Sequence, residues 1–394
     1  ILQTERSVLL TNQTFTPQET STTDAMIIEA VASGSATTRS DLSTLLKLSP
    51  STVSVRVQAL LENNVLREAG AGKSKGGRRP QVLETAGTPS TFAAIDMGGA
   101  HVRFGVFDTQ GNLLASWEAS LDLSLPPRDV LSSALDSLTG ADLDVDLDAT
   151  LRGISLGVPA PVNQELQRID VGARMAGWTH FPIREWMESH IDVPVAVEND
   201  ANLMALGEAR HHPEIERSIT VKAGAAIGSG IVVDGKIYHG ASGMAGDISH
   251  VRSHRSTDRP CGCGNIGCLE TIASGVALVE RARANGMSIT SLPELVARAH
   301  EGDSAVTTLI RDAGRALGEV LCSVVGFANT NALFVGGRLS TLEIFIASIR
   351  SELYGGCHPL VTRNLLISQA TLGADAGIYG GFELIRDTVF HLPD

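Results

Sequence analysis

The sequence predicts an α/β protein in two parts. An N-terminal winged helix-turn-helix is followed by a larger domain of two similar lobes around a cleft. Three observations lead there. Helix-spaced apolar residues run from Met26 to Leu61 and precede a basic, glycine-flanked hairpin. Apolar strands ending in glycine turns recur from Phe92 to Gly337. Between His250 and Glu270, three thiols and an imidazole crowd into one glycine-rich stretch.

Size and composition bound this reading. At 394 residues the chain is long for a single domain, and its 43% hydrophobic content suffices for sizeable cores. No apolar run reaches membrane-spanning length. Residues 1–23 are polar and threonine-rich, without the apolar core of a signal peptide. They read as a flexible tail, and the missing initiator Met as trimming. Five cysteines, three of them clustered, fit a reducing cytoplasm. Cys322 lies in an apolar helical stretch and reads as a small core residue, while Cys357 has no obvious partner. The net charge of −13 argues against nucleic-acid binding by the whole surface. Yet Arg67, Lys73, Lys75, Arg78 and Arg79 stand against Glu68 alone in one short segment, which marks a module with its own partner.

In that module, Met26, Ile27, Ala30 and Val31 line a first helix that Gly34 ends. Thr38 or Ser40 caps a second, with Leu42, Leu45 and Leu46 inward. Ser49 is a good N-cap and Pro50 suits the first position of a third helix, which buries Val53, Val57, Leu60 and Leu61. Helix, turn, helix is the arrangement that lays its second helix in the major groove. The outward residues Ser51, Thr52, Ser54 and Arg56 are then candidates for base and phosphate contacts. Two strands around Val65–Arg67 and Val82–Leu83 make a hairpin whose tip carries Lys73, Lys75, Arg78 and Arg79, suited to phosphates or a narrow minor groove. The competing reading is a helical packing domain with a solvated basic loop. A linker follows over residues 85–90.

From Phe92 the pattern changes. Thr91–Asp96 is an apolar strand ending in a carboxylate and Met97–Gly98–Gly99. Residues 101–108 return as a second strand, and the turn at Gln110–Asn112 leads to a third. Backbone N–H groups of such a glycine turn can cradle a phosphate. The theme recurs in Ser218–Val233, with Gly224–Ala225–Ala226–Ile227–Gly228–Ser229–Gly230 at its turn. Buried strands precede Pro159, Glu198–Asn199–Asp200 and Gly336–Gly337. Helices are expected over Leu278–Ala284, Leu292–His300 and Ala305–Cys322. Two strand-rich halves of this kind imply a duplicated lobe and a ligand cleft between.

His250, Cys261, Cys263 and Cys268 form a Cys3His set, which meets zinc's preference for four N/S ligands in a tetrahedron. Glycines between the thiols permit a tight loop. Cys261 and Cys263 lie too close in sequence for easy disulfide pairing.

With the Cys3His set, Glu198–Asn199–Asp200 and the glycine turns, the chain from about Met26 onward resembles the ROK family of repressors and sugar kinases, in its repressor branch. That resemblance implies an actin-like, RNase H-like two-lobed domain with a structural zinc ion bracing a sugar site. It implies a boundary scheme of 24–85 for the winged module, 91–203 with a C-terminal helix over 375–394 for a small lobe, and 204–374 for a large lobe. It places the family's catalytic aspartate on Asp200, with Asn199, Asp247, His250 and Glu270 around the sugar. The phosphate loops depart from the kinase pattern. Asp96–Met97–Gly98–Gly99–Ala100 lacks the usual threonine hydroxyl. In the second loop, which keeps Gly224 and Gly228, Ala225, Ala226 and Ser229 stand for Thr, Gly and Gly. Methyl groups there crowd a backbone that should approach phosphate closely. Asp247 replaces a glutamate, and Arg174 in Arg174–Met175–Ala176–Gly177–Trp178 replaces an asparagine.

The expectation is therefore a cytoplasmic, homodimeric or homotetrameric regulator of carbohydrate metabolism, most simply a repressor. It would bind a double-stranded DNA operator and sense a sugar or sugar phosphate, without catalysis. The alternative is an ATP-dependent hexose or N-acetylhexosamine kinase with an attached DNA-binding domain, in which Asp200 would be catalytic. A regulator controlled by a protein partner is the third reading.

Overall fold

The computed structural model describes residues 22–62, 65–71, 80–86, 90–99, 102–170, 175, 177–255 and 258–390. They form two compact units that divide between Thr88 and Pro89. Among the described residues, no helix is long and apolar enough to cross a membrane.

The first unit contains α1 (Thr22–Ala32), α2 (Arg39–Leu45), α3 (Pro50–Glu62), β1 (Leu66–Ala71) and β2 (Gln81–Thr85). Its boundaries follow from local chemistry. Gly34, at a φ of 71°, turns the chain after α1. The Thr38 hydroxyl accepts the Asp41 N–H and opens α2. Ser49 Oγ accepts the Thr52 N–H at 3.1 Å and opens α3, with Pro50 in the first turn. Ile27, Leu42, Val53, Val57, Leu66 and Leu83 share one small core, so the hairpin closes the helical triad. β1 and β2 run antiparallel. The wing-tip residues Lys73, Lys75, Arg78 and Arg79 lie outside the described residues.

The second unit opens with β3 (Thr91–Met97), β4 (Val102–Asp108), β5 (Leu113–Ala119), α4 (Pro127–Thr139), α5 (Leu147–Thr150), β6 (Leu151–Val158), α6 (Ile183–Glu188) and β7 (Val195–Asn199). Its connecting helix is α7 (Asp200–His211). There follow β8 (Arg217–Ala223), β9 (Ile227–Val233), β10 (Lys236–Ile237), α8 (Glu270–Ala273), α9 (Gly275–Ala284), α10 (Leu292–His300) and α11 (Ser304–Ala328). β11 (Ala332–Gly336), α12 (Glu343–Gly356), α13 (Pro359–Thr362), β12 (Leu366–Gln369) and α14 (Ala376–Phe390) complete the chain.

The duplication expected from the glycine turns is visible in the strand order. One sheet runs β5-β4-β3-β6-β7 and the other β10-β9-β8-β11-β12. In each, the entering strand (β3 or β8) pairs antiparallel with its successor and parallel with a strand reached by a crossover. Each sheet has its own core. Ile95, Phe104, Leu131, Ile154 and Trp178 belong to the first, and Ile219, Leu278, Leu317, Leu333 and Phe345 to the second.

α7 joins the halves. It is buried almost throughout and packs on β8, β9 and α14, while α14 returns the C-terminus to β3 and β6. Glycines permit this approach. A methyl on Gly380 would collide with the Leu203 carbonyl, and one on Gly207 with the Ala376 carbonyl. Gly228 and Gly230 bring β9 against Ala201 and Ala205 of the same helix.

Gly380→Ala is expected to destabilise the second unit by about 1–3 kcal/mol through overpacking against backbone. Gly326→Ala in α11, where a methyl meets nothing within 4 Å, is expected to be neutral or to stabilise by about 0.5–1 kcal/mol. Urea unfolding midpoints check the pair, and equal midpoints would contradict the packing account.

Candidate functional site

The site gathers where α7 begins. Asn199 ends β7 and is the N-cap of α7. Its Oδ1 accepts from the N–H groups of Ala201 and Asn202, and its Nδ2 donates to the Ala160 carbonyl at 3.1 Å. Both oxygen lone pairs are thereby used, which leaves one Nδ2 hydrogen to offer a ligand. Capping points the Asp200 side chain out of the first helical turn, where the helix dipole favours a carboxylate.

Asp200 is paired. Lys222 Nζ donates to its Oδ2 at 2.7 Å. Asp200 is buried, so this pair is shielded from solvent screening in a way surface ion pairs are not. Asp96 lies near both. Burial pushes its carboxyl above the usual aspartate range; Lys222 opposes that shift, Asp200 adds to it and Arg103 opposes it. Its Oδ1 is buried without a hydrogen-bond partner. Burial alone would lower the Lys222 ammonium's proton affinity, but Asp200 and Asp96 outweigh it and hold the lysine above its ordinary value.

Lys222 is a member of this cluster that the sequence alone did not single out. Its signal was a lone cation near the end of the apolar strand Ser218–Ile219–Thr220–Val221–Lys222–Ala223. Glu198, which in sequence only opens the Glu198–Asn199–Asp200 turn, is another member. It is fully buried, yet it accepts from Asn202 Nδ2 at 3.0 Å and Gln164 Nε2 at 3.1 Å and lies 2.6 Å from His239 Nε2.

The two glycine turns approach each other closely. A methyl built on Gly99 would stand 3.8 Å from the Ala225 methyl. The second turn is also braced from behind. Gly275 and Val276 donate to the Gly224 and Ala225 carbonyls, and the Ile227 N–H donates to Glu270 Oε2 at 2.9 Å. Ser229 Oγ donates to the Gly246 carbonyl, which ties the turn to the segment bearing Asp247. Asp247 Oδ1 accepts from the Ser249 N–H and hydroxyl, a local turn that draws the shortened carboxylate back on itself.

The Cys3His loop brings His250 beside Glu270. Glu270 N–H donates to the Ser249 carbonyl and Leu269 N–H to the Val251 carbonyl. The donor atoms of His250, Cys261, Cys263 and Cys268 lie within 4.8 Å of one another. His250 Nδ1 is 3.5 Å from Cys261 Sγ, and Cys263 Sγ is 3.6 Å from Cys268 Sγ. Tetrahedral zinc with bonds near 2.0–2.3 Å separates its donors by about 3.5–3.8 Å, so the residues present fit such an ion. Gly264 and Gly267, with φ of 91° and 82°, make the reversals that bring the thiols together. With Nδ1 toward the thiols, Nε2 is left for a ligand.

Among the other expected residues, Met175 and Trp178 are buried in the first core, and Arg174 lies outside the described residues. In the first unit Ser51, Thr52 and Ser54 are exposed along α3. Arg56 instead reaches back to Asp24 at 3.5 Å. Val55, 68% exposed, takes the outward position beside it, where an apolar side chain suits a thymine methyl. Helical spacing alone could have found Val55.

The ROK family model matches residues 92–388, and a model of winged helix-turn-helix DNA-binding proteins matches residues 20–67. The xylose repressor of Caldicellulosiruptor bescii is 24% identical over 386 residues, covering 94% of this chain and 96% of its own. The glucokinase of Halalkalibacterium halodurans is 27% identical over 320 residues, covering 75% of this chain and 94% of its own. Among solved structures, a ROK family transcriptional regulator homologous to the E. coli Mlc protein has a TM-score of 0.76 at 21% identity, over 93% of this chain and 96% of its own. That likeness is one of fold. A ROK family glucokinase from Streptomyces griseus, in complex with glucose and AMPPNP, has a TM-score of 0.65 at 25% identity, over 76% and 100%.

The purified protein is expected to carry about one tightly held metal ion per chain, since a preformed thiolate site couples binding to folding. Chelation, or Cys263→Ser, is expected to remove it and lower the melting temperature. Elemental analysis with thermal melts checks this; a metal-free protein with an unchanged melt would contradict it.

Proposed function

Because the chain belongs to the ROK family, whose model spans residues 92–388, we propose that it is a DNA-binding transcription regulator of carbohydrate metabolism. It acts as a repressor, and its kinase-like cleft senses a sugar. One observation carries this reading. The match to the xylose repressor extends over 94% of the chain, winged module included, whereas the match to the glucokinase stops at 75%. A sugar-binding fold with a DNA reader attached needs a reason for the attachment, and ligand-dependent DNA binding supplies one.

The residues divide accordingly. Ser51, Thr52 and Ser54 of α3 meet the major groove, with Val55 beside them, and Arg56 contributes if DNA draws it from Asp24. Lys73, Lys75, Arg78 and Arg79 of the wing meet phosphates or the minor groove. In the cleft, Asp200, the remaining Asn199 N–H, Asp247, His250 Nε2 and Glu270 surround the sugar. Zinc, held by His250, Cys261, Cys263 and Cys268, is structural: it orients His250 and fixes the start of α8 at Glu270. One helix-turn-helix per chain suits a homodimer or a homotetramer on a palindromic operator. Coupling follows if the sugar binds the DNA-competent and DNA-released conformations with different affinity.

Asp200 also keeps a second reading open, that of a sugar kinase with a DNA-binding module. A DNA duplex selected from a genomic library separates the two when mixed with protein and a panel of pentoses, hexoses, N-acetylhexosamines and their phosphates. The regulator reading expects one sugar to change DNA affinity by about tenfold or more, the usual scale of allosteric coupling, with no ATP turnover. ATP turnover that disappears in Asp200→Asn would instead establish the kinase.

Lys75→Ala and Arg78→Ala are expected to weaken DNA binding and to flatten its salt dependence by about one unit of slope each. Anisotropy titrations across salt concentration check this, and an unchanged slope would remove the wing from the interface.

A further inference from the structure

The duplicated sheets place two opposite charges at equivalent positions. Asp96 is the sixth residue of the seven-residue β3, and Lys222 the sixth of the seven-residue β8. Asp96 pairs with Gly157 of β6 and Lys222 with Gly336 of β11, each on the parallel neighbour. The two side chains therefore leave matching strand ends, one from each half, and converge where α7 begins. There Lys222 reaches Asp200 at 2.7 Å. Asp96 is held in place by close packing: a methyl on Gly377 would strike its carboxylate, and one on Gly157 would lie 3.0 Å from Oδ1.

Two convergent carboxylates in a phosphate-transfer fold are the arrangement a divalent cation needs, because magnesium takes one or two protein carboxylates and completes its shell with phosphate oxygens and water. We propose that Lys222 is a built-in cation, whose ammonium pairs with Asp200 and partly offsets the charge of Asp96 where a divalent metal would otherwise sit. The consequence is a cleft that takes an uncharged polyol without metal. Lys222 has three donors and uses one on Asp200, so it can donate to a sugar hydroxyl while the other Asp200 oxygen accepts from one. A metal–nucleotide complex meets a fixed positive charge at the point where its own cation must sit. The Ala225 methyl facing Gly99 narrows the same approach. The charges also speak to the ligand: two carboxylates against one ammonium leave this floor no surplus of positive charge for a sugar phosphate. The inference deepens the sensor reading by naming the ligand class, but the lysine's part can be tested without any sugar.

Manganese is the probe, titrated into full-length, zinc-loaded protein and followed by electron paramagnetic resonance. The wild type is expected to bind no manganese at this site. Lys222→Thr leaves both carboxylates without their cation and is expected to bind it at least about tenfold more tightly than wild type, an oxygen site being restored. Adding Asp96→Asn should abolish the gain. Lys222→Gln keeps a donor to Asp200 and is expected to gain the site too, should the threonine variant fail to fold. Manganese binding by the wild type that Asp96→Asn removes would overturn the proposal, as would a folded lysine variant that gains nothing. Neither result bears on whether a sugar alters DNA binding, so the sensor reading would stand or fall separately.

Discussion

The burial of α7 between the two halves of the second unit is the constraint on which the rest depends. This helix touches β8 and β9 on one side and α14 on another, and it can do so only where Gly207, Gly228, Gly230 and Gly380 remove side chains. Its first residue is Asp200. Whatever fixes α7 therefore fixes the Asp200 carboxylate, with Asn199 capping the helix and Lys222 pairing with the charge. Removing the lysine would leave a buried carboxylate uncompensated, a change that typically costs about 3–5 kcal/mol. The same contacts that hold the fold hold the site.

A second chain of contacts runs from the thiol loop. Backbone pairing of Ser249 and Val251 with Leu269 and Glu270 fixes His250 beside Glu270. Glu270 then holds the Ile227 N–H, and Ser229 holds the Gly246 carbonyl, so the glycine turn, the thiol loop and the segments bearing Asp247 and Glu270 form one bonded unit. Backbone groups that could have served a triphosphate are in part tied into this brace.

Much of this was legible in the chain. Ser49–Pro50 fixed the start of α3 because capping is local chemistry, and Gly34 ended α1 for the same reason. β3, β7 and β11 were readable from apolar runs that meet turn residues. The Cys3His set declared itself by ligand type. Other features were hidden for physical reasons. The Lys222–Asp200 pair joins different elements, and nothing in spacing reveals that they converge. Arg56 reads as an outward cation until α1 supplies Asp24. Asn199 reads as a free amide until the helix behind it demands a cap. α4 and α12 carry apolar stripes, Val130, Leu131, Ala134 and Leu138 in one and Phe345, Ile346, Ile349 and Leu353 in the other. Neither stripe carries a side-chain cap or motif that sets it apart from a loop-flanked apolar run in sequence.

The central claim is that the cleft and the DNA reader share one equilibrium. Linkage makes that claim reciprocal: a sugar that changes DNA affinity must itself bind DNA-bound protein with an affinity changed by the same factor. Calorimetric titration of the responding sugar into free protein, and into protein saturated with its selected duplex, measures this directly. The account predicts two dissociation constants that differ by about tenfold or more, matching the shift in DNA affinity. Equal constants would contradict it.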